Sequence, residues 1–250
     1  MILQNKNYSK NQTRLHQQLK EIYRNELNGQ EEVSLTVNDS VYRVDVISQD
    51  NSIACEIHRS NFDKRFSKKI QALLSIPKMY LIIVCPLVSA QKVLRMNNQT
   101  IINTSYYKKP YALYSLFDLL VRIKTPLIEN RMEFRVHLIS ENVTKQFQGF
   151  FGRTSRRRYK TIERELNSIE DTRVFKNSKD FIKLLPANLP PNFTRKELGQ
   201  ALSLPKLSER SVQRLAGRMT YSLWKLGVLK RIGKRRQAYI YEYSYSKRDD

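Results

Sequence analysis

The chain has 250 residues, enough for one large domain or two modest ones around a sizeable core. Its 45 Lys and Arg against 23 Asp and Glu give a formal charge of +22, far more than solubility needs, so a polyanionic partner is expected. No run approaches the roughly 18 apolar residues of a membrane-spanning helix, and the basic residues are not gathered on one amphipathic helix, which argues against a membrane role.

Residues 13–27 place Leu15, Leu19, Ile22, Tyr23 and Leu27 at helical spacing, with Gly29 as a stop. His16 inside this helix reads as a polar helix residue or packing partner. Val33 to Val37 alternates as a strand with Val33, Leu35 and Val37 on one face. Glu32 has the opposite parity, as an exposed edge acid or a metal ligand. After an Asn38-Asp39 turn, Val41 to Ile47 and Ser52 to His58 form a second hairpin around Asp50-Asn51.

The register follows from the turns. Pairing Gln49 with Ser52 sets Asp45 opposite Glu56, and pairing Val37 with Ser40 sets Glu32 opposite Asp45. Opposed residues share a face with Cβ atoms about 4.5–5.5 Å apart. His58 falls on the same side as Glu56, whereas Ile53, Cys55 and Ile57 take the other as an apolar face. Two carboxylates this close repel unless a cation lies between them. Oxygen ligands suit Mg²⁺ (or Mn²⁺), which keeps several waters and takes further ligands from phosphate. A proton-sharing pair and a surface coincidence are the plainer alternatives.

Phe62 to Leu74 reads as a basic amphipathic helix stopped by Pro77, in which Lys68 and Lys69 read as phosphate-facing or solvated lysines ahead of the alternative that one of them supplies a cation near position 58. The apolar run 79–87 reads as a strand buried on both faces, and the strand, helix, strand order implies a right-handed crossover. Cys55 and Cys85 lie in such strands and read as core residues of a reduced protein. No CxxC pair suggests a zinc ribbon. The opening MILQNKNYSKNQT has no apolar h-region, so a cytoplasmic location on DNA is expected.

Residues 91–104 suggest two short strands, 111–123 a helix, and 132–140 a strand whose lone His137 has no paired ligand. GFFGRTSRRRYK, residues 149–160, reads as a loop. Its Arg156, Arg157 and Arg158 suit a phosphate backbone and its aromatics suit stacking, against the alternative of a protease-sensitive linker. A short helix at 178–185 and Pro186, Pro190 and Pro191 mark a boundary.

Beyond it, Thr194 and Glu197 form a capping-box pattern for a helix to Leu202. Ser208 caps a second helix to Leu226, with Gly227 at C′. Strands 228–232 and 238–243 flank a basic tip. From Phe193 to Arg248 there are 14 Lys and Arg, against Glu197, Glu209 and Glu242. Arg210, Arg214 and Arg218 line one helix face, and Lys230, Lys234, Arg235 and Arg236 lie on the hairpin. This order resembles a winged helix-turn-helix, which lays its second helix in the major groove of double-stranded DNA.

The polar helix, a strand, Asp45 on a second strand, Glu56-Ile57-His58 on a third, then a helix and an apolar strand together resemble the restriction-endonuclease-like PD-(D/E)XK nuclease core. That pattern is Asp, a variable gap, then Glu-x-Lys. Here His58 stands at the Lys position, where Gln is tolerated elsewhere, and Val44 stands where Pro may precede the Asp. EIHRSNF, LHQQLK and the C-terminal segment are more closely similar to an uncharacterised prokaryotic family that joins such a core to a winged helix and reads EIQTxxF.

The resemblance implies an α/β fold with a mixed sheet and a C-terminal winged helix-turn-helix. It divides the chain into a nuclease-like core over 1–104, an extension with a basic loop over 105–185, and a DNA-binding domain over 186–250. The implied function is that of a metal-dependent DNA endonuclease or DNA-processing nuclease in the prokaryotic cytoplasm, on the nucleoid. Asp45, Glu56 and Glu32 would hold Mg²⁺, and His58, with an unperturbed pKa near 6.5, would orient or deprotonate the attacking water. A homodimer or larger nuclease complex is the expected assembly. The alternative is a catalytically inactive nuclease fold kept as a DNA-binding protein or transcription regulator, which the missing Lys favours.

Overall fold

Thr13 opens helix α1 (Arg14–Glu26), its hydroxyl 3.4 Å from the His16 N–H it accepts, and Leu15, Leu19 and Tyr23 bury one stripe. Asn28, at φ 45°, and Gly29 then turn the chain sharply into β1 (Gln30–Val37). At Gly29 no side chain fits, because a Cβ would collide with the Ile47 carbonyl oxygen. The computed structural model that establishes this describes residues 13–59, 62–121, 131–151 and 156–244.

β1 pairs antiparallel with β2 (Ser40–Ile47) from Val37↔Ser40 to Gln30↔Ile47, the register expected. Asn38 and Asp39 have φ of 47° and 58°, the left-handed pair that a two-residue hairpin turn requires. β2 meets β3 (Ile53–Ile57) through Val46↔Cys55 and Ile47↔Ala54, again as expected. The connection is wider than two residues. Ser48 N–H donates to the Ile53 carbonyl at 2.9 Å, and Asp50 accepts from Ser48 Oγ at 2.5 Å and from Ser52 N–H at 3.1 Å.

The strand order is β1-β2-β3-β4-β6-β7, with β5 also pairing β4, where β4 is Tyr80–Asn97, β5 Thr100–Lys108, β6 Met132–Phe151 and β7 Arg156–Phe175. Helix α2 (Lys64–Ser75) lies between β3 and β4 in sequence, as strand, helix, strand requires. The architecture is α/β.

Several elements are longer than their local sequence suggests. β4 runs for 18 residues through Pro86, which falls between Val84, bonded by the His58 N–H, and Ala90, where pairing with β5 begins. The missing proline N–H therefore interrupts neither partner on that side. The expected loop at 149–160 is mostly strand, the end of β6 and the start of β7. β7 carries charged residues at alternating and adjacent positions, so no apolar period marks it. In place of a helix over 111–123 stand a 3-10 turn (Ala112–Ser115) and α3 (Leu116–Leu120). Residues 122–123 lie outside the described residues.

Two compact units divide the chain, each discontinuous: 1–59, 84–113 and 136–173 in the first, 60–83, 114–135 and 174–250 in the second. In the first, α1 packs over β2 and β3, and Leu15 and Leu19 on the helix and Val44, Val46 and Cys55 on the strands are all buried. In the second, Phe62 stacks on Phe66 at 5.0 Å, and Phe134, Phe175 and Phe181 complete an aromatic core.

The second unit ends in a 3-10 turn (Ser178–Leu184), β8 (Asn192–Thr194), α4 (Arg195–Ala201), α5 (Glu209–Lys225), β9 (Leu229–Arg235) and β10 (Ala238–Tyr243). Its sheet order is β8-β10-β9, all antiparallel. The capping box forms as its spacing suggests: Thr194 N–H donates to Glu197 at 2.6 Å and Glu197 N–H returns to the Thr194 hydroxyl at 3.4 Å. Gly227 takes φ 71° after α5. Val212, Leu215, Met219, Leu223 and Leu226 are all buried, as their spacing implies. No helix among the described residues is long and apolar enough to cross a membrane.

Candidate functional site

Asp45 sits on β2 beneath α1, with 17% of its side chain exposed. Its Oδ2 accepts the Ile57 N–H at 2.8 Å, and its Oδ1 lies 3.3 Å from His16 Nε2. Continuing the β2–β3 register sets Glu56 opposite it. Glu56 is only 4% exposed, because β3 is buried on both faces, with Ala54, Cys55, Glu56 and Ile57 all inside. Both faces of β3 are thus enclosed, and α1, through His16, covers the one that carries Asp45. His58 is half-buried just past the strand, its N–H donated to the Val84 carbonyl at 2.8 Å.

Glu32 departs from the simple picture of three converging acids. It alone in β1 takes a left-handed backbone, φ 57°, so its side chain leaves the strand alternation. It ion-pairs with both Lys20 and Arg43. Lys20 is 1% exposed, so this is an interior pair with its charge already balanced. Glu32 does not fit a metal ligand in this arrangement. Among the described residues, no group of three or more His, Cys, Asp and Glu side chains could hold a metal ion. Asp45 and Glu56 offer two carboxylates, a fit only for an ion that draws the rest of its shell from water and phosphate.

Sequence reasoning set His16 down as a polar helix residue or packing partner ahead of a site role, and missed Lys20 and Arg43. A signal was present: His16 and Lys20 lie four apart and so share a face of α1. A further buried carboxylate, Glu141, fully shielded from solvent, receives Arg59 at 3.1 Å, Arg164 at 2.5 Å and the Gln91 amide at 2.7 Å. His137 is a satisfied interior histidine: its ring nitrogens lie 2.6 Å from the Tyr23 hydroxyl and 2.8 Å from that of Thr172.

The basic residues of the C-terminal segment separate into engaged and open groups. Arg218 is committed to Asp118 on α3, and Arg235 to Glu197 at 2.8 Å. Arg210, Arg214, Lys230, Lys234 and Arg236 are exposed. Arg158 is exposed on β7, while the side chains of Arg156 and Arg157 lie outside the described residues. Unforeseen is a cation–π stack, with the Arg231 guanidinium 3.6 Å from the Trp224 ring centroid and 4.1 Å from that of Tyr239. Beside it Trp224, Gly227, Leu229, Lys230, Arg231 and Ser244 line an open cleft of about 600 Å³.

No curated protein and no solved structure matches the chain. A family model does match residues 13–176, which takes in α1, the sheet and the acidic pair but stops short of α4, α5 and the basic hairpin. On that match, which spans more than half of its length, the chain belongs to the family described as a domain of unknown function (DUF8091).

Proposed function

We propose that this chain is a DNA-binding protein that grips duplex DNA through residues 192–243. The observation that carries the reading is the open cationic edge. Arg210 and Arg214, one turn apart on α5, and Lys230, Lys234 and Arg236 on the following hairpin are exposed and have no carboxylate partner among the described residues. Element order supports a winged helix-turn-helix: 3-10 turn, β8, α4, α5, β9, β10, with β8 against β10. In such a module α5 would enter the major groove and the hairpin would track phosphates. The test is fluorescence anisotropy of a labelled short duplex with the full chain. Salt-sensitive binding, weakened by the Arg210→Ala/Arg214→Ala pair, is expected; absent binding, or binding indifferent to that pair, overturns the reading.

A second reading, a DNA endonuclease that uses Mg²⁺ or Mn²⁺, is favoured by the register that sets Asp45 opposite Glu56 with His58 two positions on. Asp45 and Glu56 would hold the ion, which would polarise the scissile phosphate and supply an activated water. The Ile57 N–H and His16 would act as outer partners that orient Asp45. Burial weighs against it: Glu56 at 4% exposure and Asp45 at 17% leave little room for a phosphodiester under α1. Metal-dependent cleavage of plasmid, lost in Asp45→Ala and Glu56→Ala alike, would raise this reading above the first.

A further inference from the structure

The outer parts of β4, β5, β6 and β7, all in the first unit, carry a row of aromatic rings with an arginine in it. The Arg95 guanidinium donates to Asn103 Oδ1 at 2.7 Å, to Ser105 Oγ at 2.8 Å and to the Tyr107 hydroxyl at 3.2 Å. It also lies 5.7 Å from the Tyr159 ring centroid. Tyr159 meets Phe147 at 5.7 Å, and Phe147 meets Phe150 edge-on at 5.3 Å. Residues three apart on a strand should face opposite ways. Gly149, at φ 95°, breaks the alternation and lets Phe150 join the row.

These rings do not form a core. Tyr107 is 45% exposed and Phe150 65%. The cation among them has only neutral partners among the described residues, and the β4–β5 segment 84–113 contains Lys92, Arg95, Lys108 and Lys109 with no Asp or Glu at all. A partner for this face must offer flat apolar faces and negative charge together. Bases of a paired duplex are stacked on each other and present only their edges, whereas those of an unpaired strand are free to stack on Tyr and Phe while phosphates meet Arg and Lys. We propose that this face binds an unpaired nucleic-acid strand, by stacking bases on Tyr107 and Phe150 and drawing the backbone to Arg95.

This face shares no residue with the edge on α5 proposed for duplex, so the two proposals can fail independently. The experiment uses the full chain with labelled oligothymidylate, oligouridylate and a duplex, read by anisotropy at one salt concentration. Tyr107→Ala and Phe150→Ala should each weaken binding of the unpaired strand by about fivefold or more, the loss expected for one stacking ring, with duplex binding unchanged. Tyr107→Phe, which keeps the ring, should bind as wild type does. The DNA and RNA oligomers decide which sugar is preferred, and binding of either in this pattern supports the proposal. It is overturned by unchanged affinity for both oligomers in both alanine variants, by an equal loss on duplex, or by a shift in sedimentation showing that the face joins two copies of the chain.

Discussion

Removing Arg210 and Arg214 together should change the salt dependence of duplex binding by a calculable amount. Arg210, Arg214, Lys230, Lys234 and Arg236, the five basic side chains assigned above to the DNA-facing edge, are exposed, and none has a carboxylate partner among the described residues. Each cation that meets a phosphate contributes about 0.9 to the slope of log affinity against log salt. With all five on phosphate the slope is about −4.5, and raising salt fourfold weakens binding about 500-fold. In the double alanine variant the slope becomes about −2.7 and the same change costs about 40-fold. Arg218→Ala is the internal control, since Asp118 already neutralises that guanidinium, and its slope should stay near that of wild type. Anisotropy titrations at four or more salt concentrations give the slopes, and circular dichroism confirms that the variants fold. A double variant with the slope of wild type refutes the argument, whatever its absolute affinity.

Glu141→Gln should destabilise the chain by about 2–3 kcal/mol, below the usual loss for a broken buried pair, because Arg59 and Arg164 keep 25% and 31% exposure and remain partly hydrated. The urea midpoint at constant slope reads this. Gly29→Ala should cost about 1–3 kcal/mol through collision with the Ile47 carbonyl, while Gly233→Ala, with nothing within 4 Å, should stay within about 0.5 kcal/mol of wild type in the same assay. Asp50, whose carboxyl the Ser48 and Ser52 hydroxyls pull from its ordinary 3.8 down to about 2, contributes stability that is present above about pH 4 and lost as pH falls through about 2. The melting-temperature gap between wild type and Asp50→Asn should accordingly close over that interval and not between neutrality and pH 5.

What could be read from the sequence was whatever local chemistry decides. Asn38, Asp39 and Asn51 tolerate the left-handed backbone, so the turns fixed the β1–β2 and β2–β3 registers before any tertiary contact was known. Thr194 with Glu197, and Ser208, marked helix starts for the same reason. Burial depended on distant partners and was hidden. Glu56 was legible as the partner of Asp45, but nothing in its neighbourhood announces which sheet face α1 covers. Lys20 carried no signal of burial in its own helix, because its partner Glu32, twelve positions on, takes a conformation that no strand pattern predicts. Arg218 seemed one of three equivalent groove-facing arginines, yet its partner Asp118 is 100 residues away in sequence. β7 escaped because a strand with polar residues on both sides has no apolar alternation to detect.

Asp45 is the residue at which the two functional readings separate, and two substitutions divide them. A carboxylate has about four acceptor positions, so the Ile57 N–H and His16 do not by themselves close Asp45 to a cation. If Asp45 is only a fastening between β2, β3 and α1, its worth lies in accepting the Ile57 N–H at 2.8 Å. Asp45→Ala then strands that donor in a half-buried position, at a cost of about 1–3 kcal/mol. Asp45→Asn keeps an acceptor oxygen in place and should cost less than half as much. Metal chemistry ranks the variants differently, because an amide oxygen carries no net charge and holds Mg²⁺ more weakly than a carboxylate, so Asn should lose most of the cleavage although it keeps the Ile57 N–H satisfied. The expected outcome is a clear stability gap between the two variants and plasmid left intact by wild type and both variants in Mg²⁺ or Mn²⁺. Cleavage by the wild type, lost in Asp45→Ala and largely lost in Asp45→Asn, would move Asp45 from fastening to ligand.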